Sequence, residues 1–377
     1  MLKAYKYCLL PTDEQKLQLA KFFGSCRFVY NLGLETKMQA WASARKHLTC
    51  IDLANQMKEL KDTEAEWLQE CPSQTLQMAL RNLDNAYSAF FRGGGFPKFK
   101  SKHRRQSIQF PQGVKTDFEN GTIFLPKLKN VTCIFHRKFK GDIKTVTVSR
   151  TPTGKFFVSI LVENQKELPK KKPIKERTAV GIDMGVKTFA TLSDGTTFDN
   201  PKYLRNNIRR LQVEQRKLSR RLKKGAKEQS KSYQKQRLIV AKLHEHIKNQ
   251  RADYLHKAST QIIRSFDTIC LEDLNIKGMM QNEKLALAIG EVGWHKFKTM
   301  LEYKAEWYGK NIQYIGRFEP SSKLCSHCGA IFKELSLKDR LWTCLSCGTH
   351  HERDANAAQN IKTFGLRIKP ATVNVSH

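Results

Sequence analysis

Seven residues in this chain have the types and spacing to do chemistry. Cys325 and Cys328 form one CxxC pair and Cys344 and Cys347 another, with 15 residues between the pairs. That is the ligand count and spacing of a four-thiolate zinc ribbon, because two residues between thiolates let a tight turn aim both sulfurs at one tetrahedral ion. Gly329 and Gly348 follow the pairs, where the chain is expected to turn left-handed. The other three residues are acids. Asp183 ends the apolar run AVGID, Glu272 ends FDTICLE, and Asp354 opens the helical run DANAAQNI, with six residues between it and Cys347. Singly, each reads as a cap or a surface acid. Gathered at the strand ends of an α/β sheet, three carboxylates are hard-oxygen ligands for Mg²⁺ or Mn²⁺ and leave positions open for water and phosphate oxygens. Two such ions roughly 3.5 to 4 Å apart suit phosphodiester hydrolysis.

The elements that must position these residues follow from periodicity. Leu2 to Leu10 alternates and reads as a strand stopped by Pro11; Thr12 and Gln15 then form a capping box for a helix with Leu17, Leu19, Ala20 and Phe23 on its apolar face. Three or four helices fit before Phe91. The last has a core stripe of Leu76, Leu80, Leu83, Tyr87 and Phe90, with Gln74, Gln77 and Arg81 on another side, where they suit base edges or plain solvent. From Arg92 to Arg105 stand six Lys or Arg and no acid, including Lys98, Lys100, Lys102, Arg104 and Arg105, interleaved with Phe96 and Phe99. This is the composition of a nucleic-acid groove or of a mobile charged loop. Ser107 to Glu163 has period two and predicts antiparallel strands closing a small β-barrel, which the first strand would join. Prolines among lysines at 166–177 predict a linker. Beyond it come two strands around Asp183, a helical hairpin with a seam from Leu204 through Leu211 and Val240 to Tyr254, the strand ending at Glu272, a helix over 291–309 and a further strand before the ribbon. From Lys202 to Arg251 the hairpin has 17 Lys or Arg against 3 acids, which suits a phosphate backbone.

Composition agrees. The chain has 377 residues, enough for two to three units, and 67 Lys and Arg against 35 Asp and Glu give a formal charge of +32. Such an excess self-repels unless a polyanion neutralises it. Six further cysteines stand singly in apolar or helical settings, as reduced thiols do, and no stretch has the length of a membrane span or the form of a signal peptide. A soluble, intracellular protein is expected.

In order and spacing, the stretches GIDMGVKTFATLSDG, ICLEDLNIKGM, FEPSSKLCSHCG, WTCLSCG and HERDANAAQNI resemble the TnpB (OrfB-type) proteins of bacterial insertion sequences, relatives of compact type V CRISPR effectors. PTDEQ, CRFVYN, GGGFPKFKSK, NQRADYLHKAS and LEYKAEWYGKNI extend the resemblance over nearly the whole chain. The resemblance implies an RNA-guided DNA endonuclease with an RNase H-like (RuvC) nuclease domain. Its catalytic, metal-binding acids would be Asp183, Glu272 and Asp354, and its structural zinc ligands Cys325, Cys328, Cys344 and Cys347. One departure stands at Glu352, where the family's HDRD becomes HERD; Arg353 beside it is a candidate phosphate contact.

The implied α/β architecture runs as follows: 1–10, first strand of a β-barrel (wedge) domain; 11–105, helical recognition domain; 106–165, remainder of the barrel; 166–177, linker; 178–320, first part of the nuclease domain; 321–349, zinc ribbon; 350–366, last nuclease helix; 367–377, flexible tail. The implied partners are a guide RNA and double-stranded target DNA bearing a short adjacent motif, in the cytoplasm of a prokaryotic cell at the nucleoid. Base pairing would then read the sequence while the protein reads shape. The competing expectations are a guided regulator with a decayed nuclease, a strand-transfer transposase, and an RNA-binding accessory protein.

Overall fold

The structure, a computed structural model, describes residues 1–367 except 227, 333, 337 and 338, with the backbone alone at 277, 284 and 285. The tail expected over 367–377 lies, beyond Arg367, outside the described residues. Two compact units divide the chain, Met1–Lys166 and a second from Glu167 onward.

The first unit begins with β1 (Leu2–Leu10) and α1 (Asp13–Ala44). The capping box forms at the start of α1: the Gln15 amide donates to Thr12 Oγ1 at 3.2 Å, and the Thr12 amide to Gln15 Oε1 at 3.1 Å. The buried face of α1 is Leu19, Phe22, Phe23, Cys26, Val29, Tyr30 and Leu34, so Leu17 and Ala20, assigned inward from the sequence, face solvent instead. A second capping box, Thr49 with Asp52, opens α2 (Cys50–Asp62), and α3 (Ser73–Phe91) buries Leu76, Leu80 and Leu83 as its stripe predicts.

Next come β2 (Gln106–Phe110), β3 (Lys115–Asp117), β4 (Thr122–Leu125), β5 (Lys129–Ile134), β6 (Asp142–Arg150) and β7 (Phe156–Glu163). With β1 they form a seven-stranded antiparallel sheet in the order β2-β6-β7-β1-β5-β4-β3. The first strand therefore joins the sheet, at its centre. The expected closed barrel does not form, since β2 and β3 stand at opposite ends of the order. Helices cover the β2 end: Arg27 of α1 donates to Gln106 Oε1 at 3.2 Å and Asn82 of α3 to Gln109 Oε1 at 3.0 Å. An edge protected in this way does not need closure.

In the second unit β8 (Ala179–Asp183), β9 (Thr188–Leu192) and β10 (Thr197–Asp199) run as an antiparallel meander. The hairpin helices α4 (Tyr203–Arg221) and α5 (Lys231–Ser265) follow, then β11 (Thr268–Glu272). After the short α6 (Ile276–Met279) and α7 (Glu283–Val292), α8 (Trp294–Tyr308) leads to β12 (Asn311–Ile315). The sheet order is β10-β9-β8-β11-β12, with β8, β11 and β12 parallel. Last are the ribbon strands β13 (Leu341–Thr343) and β14 (His350–Glu352) and the helix α9 (Arg353–Arg367).

Alternation along the central strands builds three layers. Val180, Ile182, Ile269 and Leu271 point to one side and pack with Leu255 and Ile262 of α5 and Phe297 and Leu301 of α8. Cys270 and Ile315 point to the other side and pack with Ile361 of α9. Gly181 lies under α9 so closely that a Cβ there would stand 2.0 Å from the Ala358 carbonyl oxygen.

In the hairpin, Leu211, Val240 and Leu243 make the predicted seam. One polar position interrupts it: the buried Gln236 donates to Glu214 Oε2 at 2.5 Å and accepts from Arg221 at 2.8 Å. Glu291 of α7 accepts the Arg205 amide at 2.8 Å and so caps the start of α4. The expected linker is fastened at Lys172, whose amide donates to the Gly309 oxygen at 2.9 Å and whose ammonium lies 3.1 Å from Asp267.

Candidate active site and zinc ribbon

Asp183 ends β8 and Glu272 ends β11, each one residue beyond the paired Ile182 and Leu271. Period two fixes their side. Asp183 shares the face of Gly181, and Glu272 that of Cys270, which is the face α9 covers. Asp354 is the second residue of α9. The three acids are thus delivered to one place by two parallel strands and one helix, all partly buried.

Their charges are felt at Asp183. Burial first, then the negative charges of Glu272 and Asp354, push its carboxyl up to about 7, with Arg353 and Arg340 opposing. Ser321 donates to Glu272 Oε1 at 2.6 Å. Asp354 is held from the ribbon, Arg340 Nη1 lying 2.8 and 3.0 Å from its two oxygens. A desolvated acid facing two other carboxylates is a donor set that favours a divalent cation, and hard oxygens suit Mg²⁺ or Mn²⁺. The set is not drawn into a cage, because among the described residues only the four cysteines bring their ligand atoms all within 4.8 Å of one another.

Those cysteines fit zinc. Cys325 and Cys347 sulfurs lie 3.7 Å apart and those of Cys328 and Cys344 3.6 Å, against about 3.8 Å expected between the corners of a tetrahedron with zinc–sulfur bonds of ~2.3 Å. The two knuckles repeat one geometry: Gly329 donates to the Cys325 oxygen and Gly348 to that of Cys344, both at 2.9 Å, with both glycines left-handed as predicted. A hydrogen bond from Thr349 pulls the Cys347 thiol down to about 6, toward the thiolate a metal requires. His351 Nε2 lies 3.0 Å from Cys325 Sγ and its ring packs on Trp342.

A clamp that sequence reasoning missed joins ribbon and site. The buried Asn356 of α9 accepts the Ser326 amide at 2.9 Å and donates to the Leu324 oxygen at 2.8 Å; Asn360 donates to the oxygens of Ser321 and Leu324, both at 2.7 Å. One helix face therefore grips the segment that runs from the serine on Glu272 to the first zinc cysteine. The available signal was two asparagines spaced i, i+4 in an alanine-rich helix, too many amides for an inward face without backbone to bind.

The remaining candidates lie elsewhere. Arg353 donates to the Ser336 oxygen at 3.0 Å. Gln74, Gln77 and Arg81 are exposed on α3, and Lys98, Lys100, Lys102, Arg104 and Arg105 are exposed on the loop after it, all in the first unit.

Comparison with known proteins gives three family matches: a probable transposase family of OrfB type over residues 159–283, a Cas12f1-like TNB domain over 294–361 and a helix-turn-helix domain over 1–46. The last description differs from the structure, where this stretch is β1 followed by one continuous helix. A putative RNA-guided DNA endonuclease of Streptomyces pristinaespiralis is 39% identical over 97% of this chain and 89% of its own length. The putative RNA-guided DNA endonuclease InsQ of Escherichia coli K12 is 34% identical over 97% of this chain and 93% of its own. Among solved structures, Cas12f1 in complex with sgRNA and target DNA superposes with a TM-score of 0.59 at 15% identity over 93% of this chain and 83% of that one. The mini RNA-guided endonuclease CRISPR-Cas_phi3 gives 0.50 at 10% identity, over 98% and 93%. The last two show a shared fold. On the full-length identities, this chain belongs to the TnpB (OrfB-type) family, related to the type V CRISPR effectors.

Proposed function

We propose that the chain is an RNA-guided DNA endonuclease that hydrolyses phosphodiester bonds in a divalent-metal-dependent, RuvC-like site. The observation that carries this reading is the gathering of Asp183, Glu272 and Asp354 on one sheet face, with Asp183 raised to about 7 by burial and its two acidic neighbours. Relatives over almost the whole chain are named RNA-guided DNA endonucleases, and a solved structure of like fold holds a guide RNA and target DNA. The charge of +32 suits both polymers.

In this reading Asp183, Glu272 and Asp354 hold Mg²⁺ or Mn²⁺. Such ions lower the pKa of bound water and stabilise the leaving oxygen. The chain's own part is to exclude bulk water from Asp183 and to orient Glu272 through the Ser321 hydroxyl. Arg340 and Arg353 keep positive charge beside the carboxylates for the incoming phosphate. The nuclease domain comprises 178–320 and 350–366, with the ribbon, 321–349, set into it around one structural Zn²⁺. The wedge (1–10 with 106–165) and the helical recognition domain (11–105) bind the guide and its duplex, with Gln74 and Gln77 reading the short DNA motif and Arg81 contacting nucleic acid beside them.

The test is expression with flanking genomic DNA, purification at high salt and sequencing of the RNA that copurifies. One discrete RNA whose variable end directs Mg²⁺-dependent cleavage of a matching duplex is the expected result. Asp183→Ala is expected to lower cleavage by at least ~10³-fold with guided binding retained. Guided binding without cleavage by the unaltered protein would move the reading to a regulator.

A further inference from the structure

The loop from Arg92 to Arg105 is built, although it has no regular structure. Asn31 of α1 closes two hydrogen bonds on the backbone of Lys100: it donates to the carbonyl at 3.0 Å and accepts from the amide at 2.7 Å. Gln106 donates to the carbonyls of Lys102 and Arg104 at 3.0 and 2.9 Å while Arg27 fixes its own oxygen. The Lys100 ammonium sits 3.7 Å from the centre of the Tyr30 ring. The other basic side chains of the loop stay exposed, and no acid lies among them. Like charges have been ordered side by side at an electrostatic cost, which an anion would offset.

Beside them stands a cluster of rings. Tyr87, Phe90 and Phe91 of α3 and Phe96 of the loop meet with centroids 5.3 to 6.4 Å apart. Phe91 is nevertheless 71% exposed, Phe96 45% and Phe99 51%. Rings packed on one another yet exposed, next in sequence to exposed cations, complement a flat π-system tethered between phosphates. We propose that this surface is a stacking platform for an unpaired base in a single-stranded stretch of RNA or DNA, with Phe91 and Phe96 against the base and Arg92, Lys98 and Lys102 on the flanking phosphates. The occupant rests on the reading of the chain as a guided nuclease; the geometry does not. A duplex hides its base faces in the stack, so the platform discriminates by strandedness and not by sequence.

The test uses the full-length protein without divalent metal and short single strands of RNA and of DNA carrying 2-aminopurine, with the matching duplexes as controls. Binding is expected to quench the 2-aminopurine of a single strand. Phe91→Ala is expected to weaken single-strand binding about tenfold, with duplex affinity and the salt dependence unchanged. Lys98→Ala is expected to lower the salt slope by about one. Phe91→Leu, which keeps apolar bulk but no π-face, is expected to behave like Phe91→Ala and covers the case in which the alanine variant misfolds. Quenching with one polymer that both Phe91 variants weaken upholds the platform and identifies the strand. Unchanged single-strand affinity in both variants, or equal losses for duplex and single strand, overturns it. Since no cleavage is measured, quenching in a protein that never cuts would sink the nuclease reading alone, and unchanged affinity in one that does cut would sink the platform alone.

Discussion

Asp183 ends β8 and Asp267 precedes the neighbouring strand β11, and their carboxyls shift in opposite directions. Asp267, just before β11, accepts from Lys310 at 2.5 Å and pairs with Lys172 at 3.1 Å. The Lys310 hydrogen bond, aided by that from Lys172 and opposed by burial, holds its carboxyl below the usual range. A depressed folded-state value means that the unfolded chain binds more protons, so this stabilisation is complete above the unfolded value of about 3.9 and is lost as pH falls through the folded one. Asp267→Asn is expected to cost about 1–2 kcal/mol near pH 7. In urea titrations the gap to the unaltered protein should narrow as pH falls below ~4; a gap independent of pH would mean that the ion pairs are not its source. Asp183 has the reverse shift because it is buried and, after that, because its neighbours are acids, a state maintained only where folding energy elsewhere imposes it.

At the scale of elements, the contact between α9 and β8 decides where Asp354 meets Asp183. Gly181 admits the helix: a Cβ would meet the Ala358 oxygen at 2.0 Å and the Lys362 amide nitrogen at 2.5 Å. Gly181→Ala is therefore expected to lift α9, costing about 1–3 kcal/mol and lowering cleavage well beyond what that loss of stability explains, since misplacement by an ångström at a reacting centre can cost about a hundredfold. Thermal melts beside cleavage rates check it, and a variant with normal rates would show that helix and strand are not in register here. The strands, the caps and the four cysteines were legible in the sequence because their signals are local: alternation, a Thr–Gln pair, CxxC. Arg340 on Asp354, Ser321 on Glu272 and the Asn356–Asn360 clamp were not, because each joins residues brought together only by packing of the sheet, ribbon and last helix. The expected barrel failed for a related reason. Alternation fixes which side of a strand is buried, but whether an edge is closed or covered depends on the helices laid against it.

At the scale of the molecule, the two units have separate hydrophobic cores, one spanning β1 to β7 with α1 to α3, the other centred on β8, β11, α5 and α8. Zinc bears on the second, through α9 and its asparagine clamp. Chelation, or Cys344→Ser, is expected to lower the second unit's unfolding temperature by about 10 °C, a few kcal/mol at roughly 2–4 °C per kcal/mol for a unit of this size, and to leave the first unit's transition in place. Calorimetry of the two preparations checks this, and equal shifts in both transitions would refute the separation.

The buried Gln236, set against Glu214 and Arg221, has a consequence for how the chain tolerates change in length. It fixes the pairing of the hairpin helices from the base up to its own level, while beyond it the connection is closed by Gln229, which bonds both the amide and the carbonyl of Lys223. Whole turns added or removed on the far side of that glutamine leave the alignment below it untouched. The tip around Gly225 is thus a grafting point, where a lineage or an engineer can attach a passenger sequence without rewriting the catalytic half of the molecule.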